Sequence, residues 1–126
     1  MSKVMIHTIL KTQEKTYEYT VPAILNEEDN TVVYKESDEQ QTLTKYNYKT
    51  RELIRENDSI KMHYPFNKAK NSRGTILVKE LGRTFDLIIK TNKILRCENN
   101  IEIDFLVEEQ EFNYKIEVIK WVLLKI

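Results

Sequence analysis

The chain has 126 residues, 40% hydrophobic and 32% charged, with 20 Lys and Arg balanced by 20 Asp and Glu. That composition belongs to one soluble globular domain over residues 1–126 and excludes a disordered chain. Zero net charge excludes a global pull toward nucleic acid or an anionic membrane, and a single cysteine, Cys97, excludes an intrachain disulfide and fits a reducing compartment.

No apolar run approaches the ~20 residues of a membrane helix. The N-terminal segment MSKVMIHTIL is too short in its apolar part for a signal peptide and has no small-residue cleavage site. The expectation is a cytoplasmic protein with no membrane insertion.

In chain order, Lys3–Leu10 sets Val4, Ile6 and Thr8 against Met5, His7 and Ile9. Lys11–Lys15 is a short polar turn. Thr16–Ala23 follows, with Tyr17, Tyr19 and Val21 on one face and Pro22 near its end, where a missing N–H is tolerable. Leu25–Asn30 is an acidic turn. Thr31–Glu36 aligns Val32, Tyr34 and Glu36, and Ser37–Gln41 is again polar. Thr42–Lys49 sets Thr42, Thr44, Tyr46 and Tyr48 against Leu43, Lys45, Asn47 and Lys49. A period of two over such runs predicts strands.

Glu52–Glu56 is a short strand with Leu53 and Arg55 on one face. Asn57-Asp58 predicts a hairpin turn, since both residues tolerate left-handed backbone. Ser59–Tyr64 returns with Ile60, Met62 and Tyr64, and Pro65–Arg73 is the longest loop. Two long arms then meet at Leu81-Gly82-Arg83, glycine being the residue that turns there without a Cβ clash. The second arm alternates Phe85, Leu87, Ile89 and Thr91 with Asp86, Ile88 and Lys90. Thr91-Asn92-Lys93 reads as a bend or bulge before Ile94–Glu98, Asn99-Asn100 as a left-handed turn, and Glu109-Gln110-Glu111 as the last turn. Val118–Ile126 is too apolar for a one-sided strand. It reads as a strand continuing through a bulge, in preference to a short terminal helix.

No stretch of ten residues has a helical period. Consecutive hairpins of about eight to ten strands predict an all-β fold, a single antiparallel up-and-down β-barrel that leaves no open edge. A sandwich is the alternative.

At this point the chain resembles the YwiB-like family, small bacterial proteins of unknown function with a calycin-like (lipocalin-like) β-barrel. Tyr34-Lys35-Glu36 resembles its Tyr-x-Glu strand, and Thr42-Leu43-Thr44-Lys45 the Thr-rich strand that follows. Arg55–Tyr64 resembles its Arg, turn, Met-x-hydrophobic hairpin, and Gly74–Thr91 its long glycine-turned hairpin. Leu77, Lys79 and Asn57 depart from that pattern. The resemblance implies a small closed barrel and no established chemistry. Fatty-acid-binding proteins of the wider calycin group carry a helical lid between their first two strands, and Lys11–Lys15 is too short to form one.

Candidate site residues follow from charges and tyrosines on the apolar face. Glu36 and Arg55 share faces with hydrophobic neighbours, so each needs a partner, and the two are expected to pair at a barrel end. That pair either closes the end or recognises a ligand's carboxylate or phosphate. Tyr34, Tyr46, Tyr48 and Tyr64, each with an apolar body and a polar tip, either fill the interior or line a site for a small hydrophobic or amphipathic ligand at the interior or mouth. His7 and His63 fall on the opposite face, and one cysteine cannot build a thiolate zinc site, so no metal is expected.

Ser2, Ser37, Ser59 and Ser72 lack the glycine setting of a nucleophile elbow. There is no P-loop or dinucleotide fingerprint. The reading is non-enzymatic, with no catalytic residue and no cofactor. The alternative is a surface module that binds a protein or single-stranded RNA through the basic 61–73 segment. There Lys68, Lys70 and Arg73 occur near Tyr64 and Phe66, cations interleaved with aromatics. The neutral chain makes nucleic acid the weaker partner. The assembly is expected to be a monomer or a homodimer.

Overall fold

The computed structural model describes residues 1–125, with side chains described through Ile119. Ten strands run in chain order: β1 (Ser2–Thr12), β2 (Thr16–Asn26), β3 (Thr31–Lys35), β4 (Leu43–Asn47), β5 (Glu52–Glu56), β6 (Ile60–Pro65), β7 (Ser72–Val78), β8 (Arg83–Cys97), β9 (Asn100–Val107) and β10 (Gln110–Lys125). Each pairs antiparallel with its sequence neighbours, and β1 pairs with β10 to close the barrel. The up-and-down barrel of the sequence reading is therefore the fold, and the sandwich is not.

Alternation decides which side chains enter. Val4, Ile6, Thr8 and Leu10 of β1 are buried, as are Ile101, Ile103, Phe105 and Val107 of β9. The outward positions between them carry Lys, Glu, Asp and other groups left wholly or partly in solvent. Up-and-down order puts the β1–β2, β3–β4, β5–β6, β7–β8 and β9–β10 turns at one end, here the hairpin end. The other connections lie at the opposite end with the N-terminus.

Several boundaries differ from the sequence reading. Val78 pairs with Arg83, so the β7–β8 turn is Lys79–Gly82 and Arg83 belongs to β8. Gly82 has φ 61° as its turn requires. The left-handed residue between β8 and β9 is Glu98, whereas Asn99 is the second turn residue and Asn100 starts β9 opposite Cys97. Likewise Glu108 and Glu109 are both left-handed, and Gln110 already pairs with Val107. In each case the cross-strand register fixed by buried partners sets the turn, and the most turn-prone residue does not. The bulge falls between Thr91 and Lys93. The chain beyond Val118 is strand through Lys125, with register shifts opposite Ser2/Lys3 and Met5/Ile6; Ile126 lies outside the described residues.

Candidate functional site

Three strands in register place the charged pair. Ladder partners Tyr34, Thr44 and Arg55 stand in a row across β3, β4 and β5. Glu36 is the next inward position after Tyr34. Its N–H donates to the Thr42 carbonyl at 2.9 Å, which extends the β3–β4 hairpin just far enough to hold it there. Arg55 donates from Nε to Glu36 Oε2 at 2.8 Å and from Nη2 to Oε1 at 2.7 Å. The Thr44 hydroxyl donates to Oε2 at 2.7 Å. Burial pulls the Arg55 guanidinium down, but the hydrogen bonds and charge of Glu36 outweigh it and leave it above its ordinary range.

The rim beyond is tied as well. Asp38 accepts from the Thr42 amide at 2.8 Å and its hydroxyl at 2.6 Å, and Asn57 Nδ2 donates to that hydroxyl at 3.1 Å. Burial raises the Asp38 carboxyl, yet the bonds from Thr42 hold it below the usual range.

Deeper in, the Tyr34 and Tyr114 hydroxyls are bonded to each other, and Tyr34 also meets Thr8 Oγ1 at 3.2 Å. Burial pushes both phenols well above the ordinary tyrosine range. The space left between Thr8, Leu10, Tyr17, Tyr19, Tyr34, Glu36, Arg55 and Tyr114 is about 10 Å³, about one water sphere. Every buried side-chain polar atom among the described residues has a partner. The tyrosines therefore fill this part of the barrel.

The remaining tyrosines separate. Tyr46 and Tyr48 pack edge to face with centroids 5.1 Å apart, toward the other end. There the Tyr48 hydroxyl donates to the Asn99 carbonyl at 2.8 Å, and Arg96 lies 5.0 Å over its ring. Tyr64 packs 6.1 Å from Phe105. Tyr34, Glu36 and Arg55 thus line one small space, Tyr34 bonded to Thr8 and Tyr114 and Glu36 to Arg55 and Thr44. Tyr46 and Tyr48 instead pack toward the other end, Tyr46 with its ring 6.4 Å from that of Tyr114.

A large concavity lies in the wall. β2 has 11 residues and β3 has 5, and their pairing covers only Ala23–Asn26 with Thr31–Tyr34. The ladder stops beside Pro22, which has no N–H to give it. Past that point β2 and the β3–β4 hairpin part, leaving an open cleft of about 680 Å³. Pro22, Ile24, Val33 and Leu43 supply its outward apolar wall, and Lys35, Ser37, Asp38 and Gln41 its rim. Tyr34 and Glu36 border it from within, whereas Tyr46, Tyr48, Arg55 and Tyr64 do not. None of the inward-facing candidates supplies this wall, because Val33 and Leu43 stand on the outer face. The available signals were the unequal lengths of β2 and β3, Pro22, and Leu43 as an exposed apolar residue between two threonines.

The basic loop differs from its sequence reading. Lys68, Lys70 and Arg73 are exposed, but Tyr64 and Phe66 are buried at 7% and 4%. The Phe66 ring lies 4.8 Å from Phe105 inside the barrel, and its amide donates to the Arg51 carbonyl at 2.9 Å. Period-two alternation carries both aromatics inward, so no stacking platform accompanies the cations.

His7 and His63 are on the outer face, each beside a cross-strand glutamate: His7 beside Glu18, and His63 3.2 Å from Glu52. No group of three His, Cys, Asp or Glu among the described residues is arranged to hold a metal. No helix is long and apolar enough to cross a membrane.

These observations define a closed ten-stranded antiparallel barrel with a packed interior near its charged pair and a cleft in its wall. Among solved structures it is similar to the crystal structure of the YwiB protein from Bacillus subtilis, with a TM-score of 0.61 and 13% sequence identity over 90% of this chain and 87% of that one. At that identity the likeness carries the fold alone. No family model and no curated protein matches the chain.

Proposed function

We propose that this protein is a divergent YwiB-like, calycin-like barrel. In this reading it binds one small amphipathic molecule in the cleft between β2 and the β3–β4 hairpin, without catalysing a reaction on it. The observation that carries the reading is the exposed Leu43 side chain, 44% accessible, set in a concavity with Ile24 and Val33. The cleft's volume of about 680 Å³ is that of a ligand site, since such sites span about 300–1,000 Å³. Lys35 on its rim has no carboxylate partner among the described residues. An apolar tail against Leu43 with an anionic head at Lys35 is the arrangement the chemistry favours.

Dodecanoate is the probe. Calorimetric titration should show saturable binding that Leu43→Glu and Lys35→Glu each weaken at least tenfold with unchanged circular dichroism. Native mass spectrometry of the protein as purified should show one retained adduct. Equal affinity in Leu43→Glu, or no binding and no adduct, would end the reading.

A second reading rests on the Phe66–Arg51 hydrogen bond, which seats the Lys49–Arg51 turn beside Lys68 and Lys70. These exposed cations lack carboxylate partners among the described residues. They suit an acidic protein or RNA held by charge alone. Replacing Lys68, Lys70 and Arg73 with Glu should abolish any salt-sensitive capture of oligo(U) or of an acidic peptide.

A further inference from the structure

The β7–β8 hairpin runs past the end of its neighbour on one side. β9 reaches only Ile89, through its pairing with Val107, whereas β8 begins at Arg83. Glu108 closes the ladder at that point. Its amide lies 3.4 Å from the Ile88 carbonyl, and its Oε1 accepts the Ile88 N–H at 3.1 Å. Both backbone groups of Ile88 therefore face the β9 side. In an antiparallel ladder this direction repeats every second residue, so the N–H and C=O of Asp86 and Thr84 face the same side. Among the described residues nothing pairs with them there.

The side chains around this open edge are apolar for a surface. Phe85 is 42% exposed, Ile88 60% and Leu81 62%. Native edges are usually blunted by proline, lysine, a bulge or a cover. Arg83–Leu87 has no proline, no lysine and no register shift. Its two charges are Arg83, which lies 5.3 Å over its own Phe85 ring, and Asp86.

We propose that a second copy of this chain docks here, pairing its own β8 edge antiparallel about a two-fold axis through Phe85. The free groups choose that axis. Ile88 is already occupied, so only Thr84 and Asp86 have bonds to offer, and they stand symmetrically about Phe85. With the axis at Phe85, Thr84 of each copy faces Asp86 of the other, and four hydrogen bonds form. Phe85 then faces Phe85 as a non-hydrogen-bonded pair, the closer of the two pair types, with Cα atoms about 4.5 Å apart. An axis at Asp86 would set two carboxylates side by side and need the occupied Ile88. Zero net charge removes long-range repulsion between copies. The contact is isologous and closes at a dimer.

Sedimentation equilibrium and cysteine cross-linking test this together. The parent should show a monomer–dimer equilibrium. Asp86→Pro removes a donor that faces outward and leaves the β7 ladder intact, so it should raise the dimer dissociation constant at least tenfold with unchanged circular dichroism. Thr20→Lys, on the part of β2 that pairs with β1 but not with β3, should not change it. In a Cys97→Ser background, Phe85→Cys should oxidise to a disulfide dimer, because its Cα separation falls in the bonding range, and Ile88→Cys should not. The proposal is overturned by a parent that stays monomeric to about 1 mM, a limit near −4 kcal/mol of association. A dimer that is indifferent to Asp86→Pro, or that cross-links through Ile88→Cys and not Phe85→Cys, overturns it as well.

Discussion

Arg55 grips Glu36 with two parallel hydrogen bonds on the inside of the barrel, 2.8 Å and 2.7 Å long, and the Thr44 hydroxyl completes the carboxylate's set. The carboxylate side chain is 6% exposed and the guanidinium 13%. Each is tolerable there because the other is present.

The pair should therefore behave asymmetrically in mutants. Arg55→Met strands a buried carboxylate and should cost about 3–5 kcal/mol. Adding Glu36→Gln to it removes the stranded charge and should recover most of that loss. Urea unfolding of both singles and the double gives the coupling energy directly. An Arg55→Met protein as stable as the parent would contradict the burial of the pair.

The buried phenols make stability fall on the alkaline side. Burial raises Tyr46 from 10 to about 12, and pushes Tyr34, Tyr48 and Tyr114 further in the same direction. In the unfolded chain these groups ionise near pH 10. Below that pH both states are protonated and the native advantage is complete. Above it the unfolded state loses protons first, so stability drops until the pH passes the native values. Tyr46 alone accounts for roughly 2–3 kcal/mol of this once the pH has passed its native value of about 12. Absorbance at 295 nm and circular dichroism should change together in one cooperative step above pH 10. Tyrosinate forming gradually in a protein of native dichroism would contradict the packed interior.

Left-handed residues at the turns are the next point of strain. Arg51 has φ 58° and Glu109 φ 72°, each a side-chain-bearing residue where glycine would sit freely. Such a conformation costs roughly 1–2 kcal/mol, and glycine returns about 0.5–1 of that through its unfolded-state entropy. Arg51→Gly and Glu109→Gly should each raise the unfolding free energy measured in urea by a net ~0.5–1 kcal/mol. Glu108→Gly should gain less, since the Glu108 carboxylate also accepts the Ile88 N–H.

These same turns mark how far the sequence could be read. The strands, their inward faces and the facing of Glu36 toward Arg55 were legible, because a period of two maps directly onto the two sides of a sheet. Turn positions were less so. Asn99-Asn100 is more turn-prone than Glu98-Asn99, but Arg96 must face Ile101 and Cys97 must face Asn100 for Ile94 to meet Ile103 in the core. The cleft was not legible from alternation, since it arises where β2 outruns β3. The fate of Phe66 was masked by its neighbours: its place beside Lys68 reads as a surface cluster, although alternation continued from Tyr64 carries it inward to Phe105.

The two glycines should respond to substitution in opposite ways. A Cβ on Gly74 would stand 2.6 Å from Ile89 Cδ1 and 2.8 Å from the His63 carbonyl oxygen. Ile89 is fully buried and His63 is held in the β6 ladder, so neither yields readily. Gly74→Ala should cost about 1–3 kcal/mol through overpacking, and Gly74→Asn more. Gly82 has nothing within 4 Å of such a Cβ, and only its φ of 61° resists substitution. Gly82→Ala should cost about 1 kcal/mol, and Gly82→Asn less, because Asn accepts left-handed backbone. Ile89→Val removes the Cδ1 that Gly74→Ala would strike. In that background Gly74→Ala should cost measurably less than in the parent, a coupling expected only of residues in contact. Thermal unfolding of the five single variants and the Gly74→Ala/Ile89→Val double distinguishes the two origins. Asn rescuing position 74, or additivity between Gly74→Ala and Ile89→Val, would show that crowding at β7 is not what reserves Gly74.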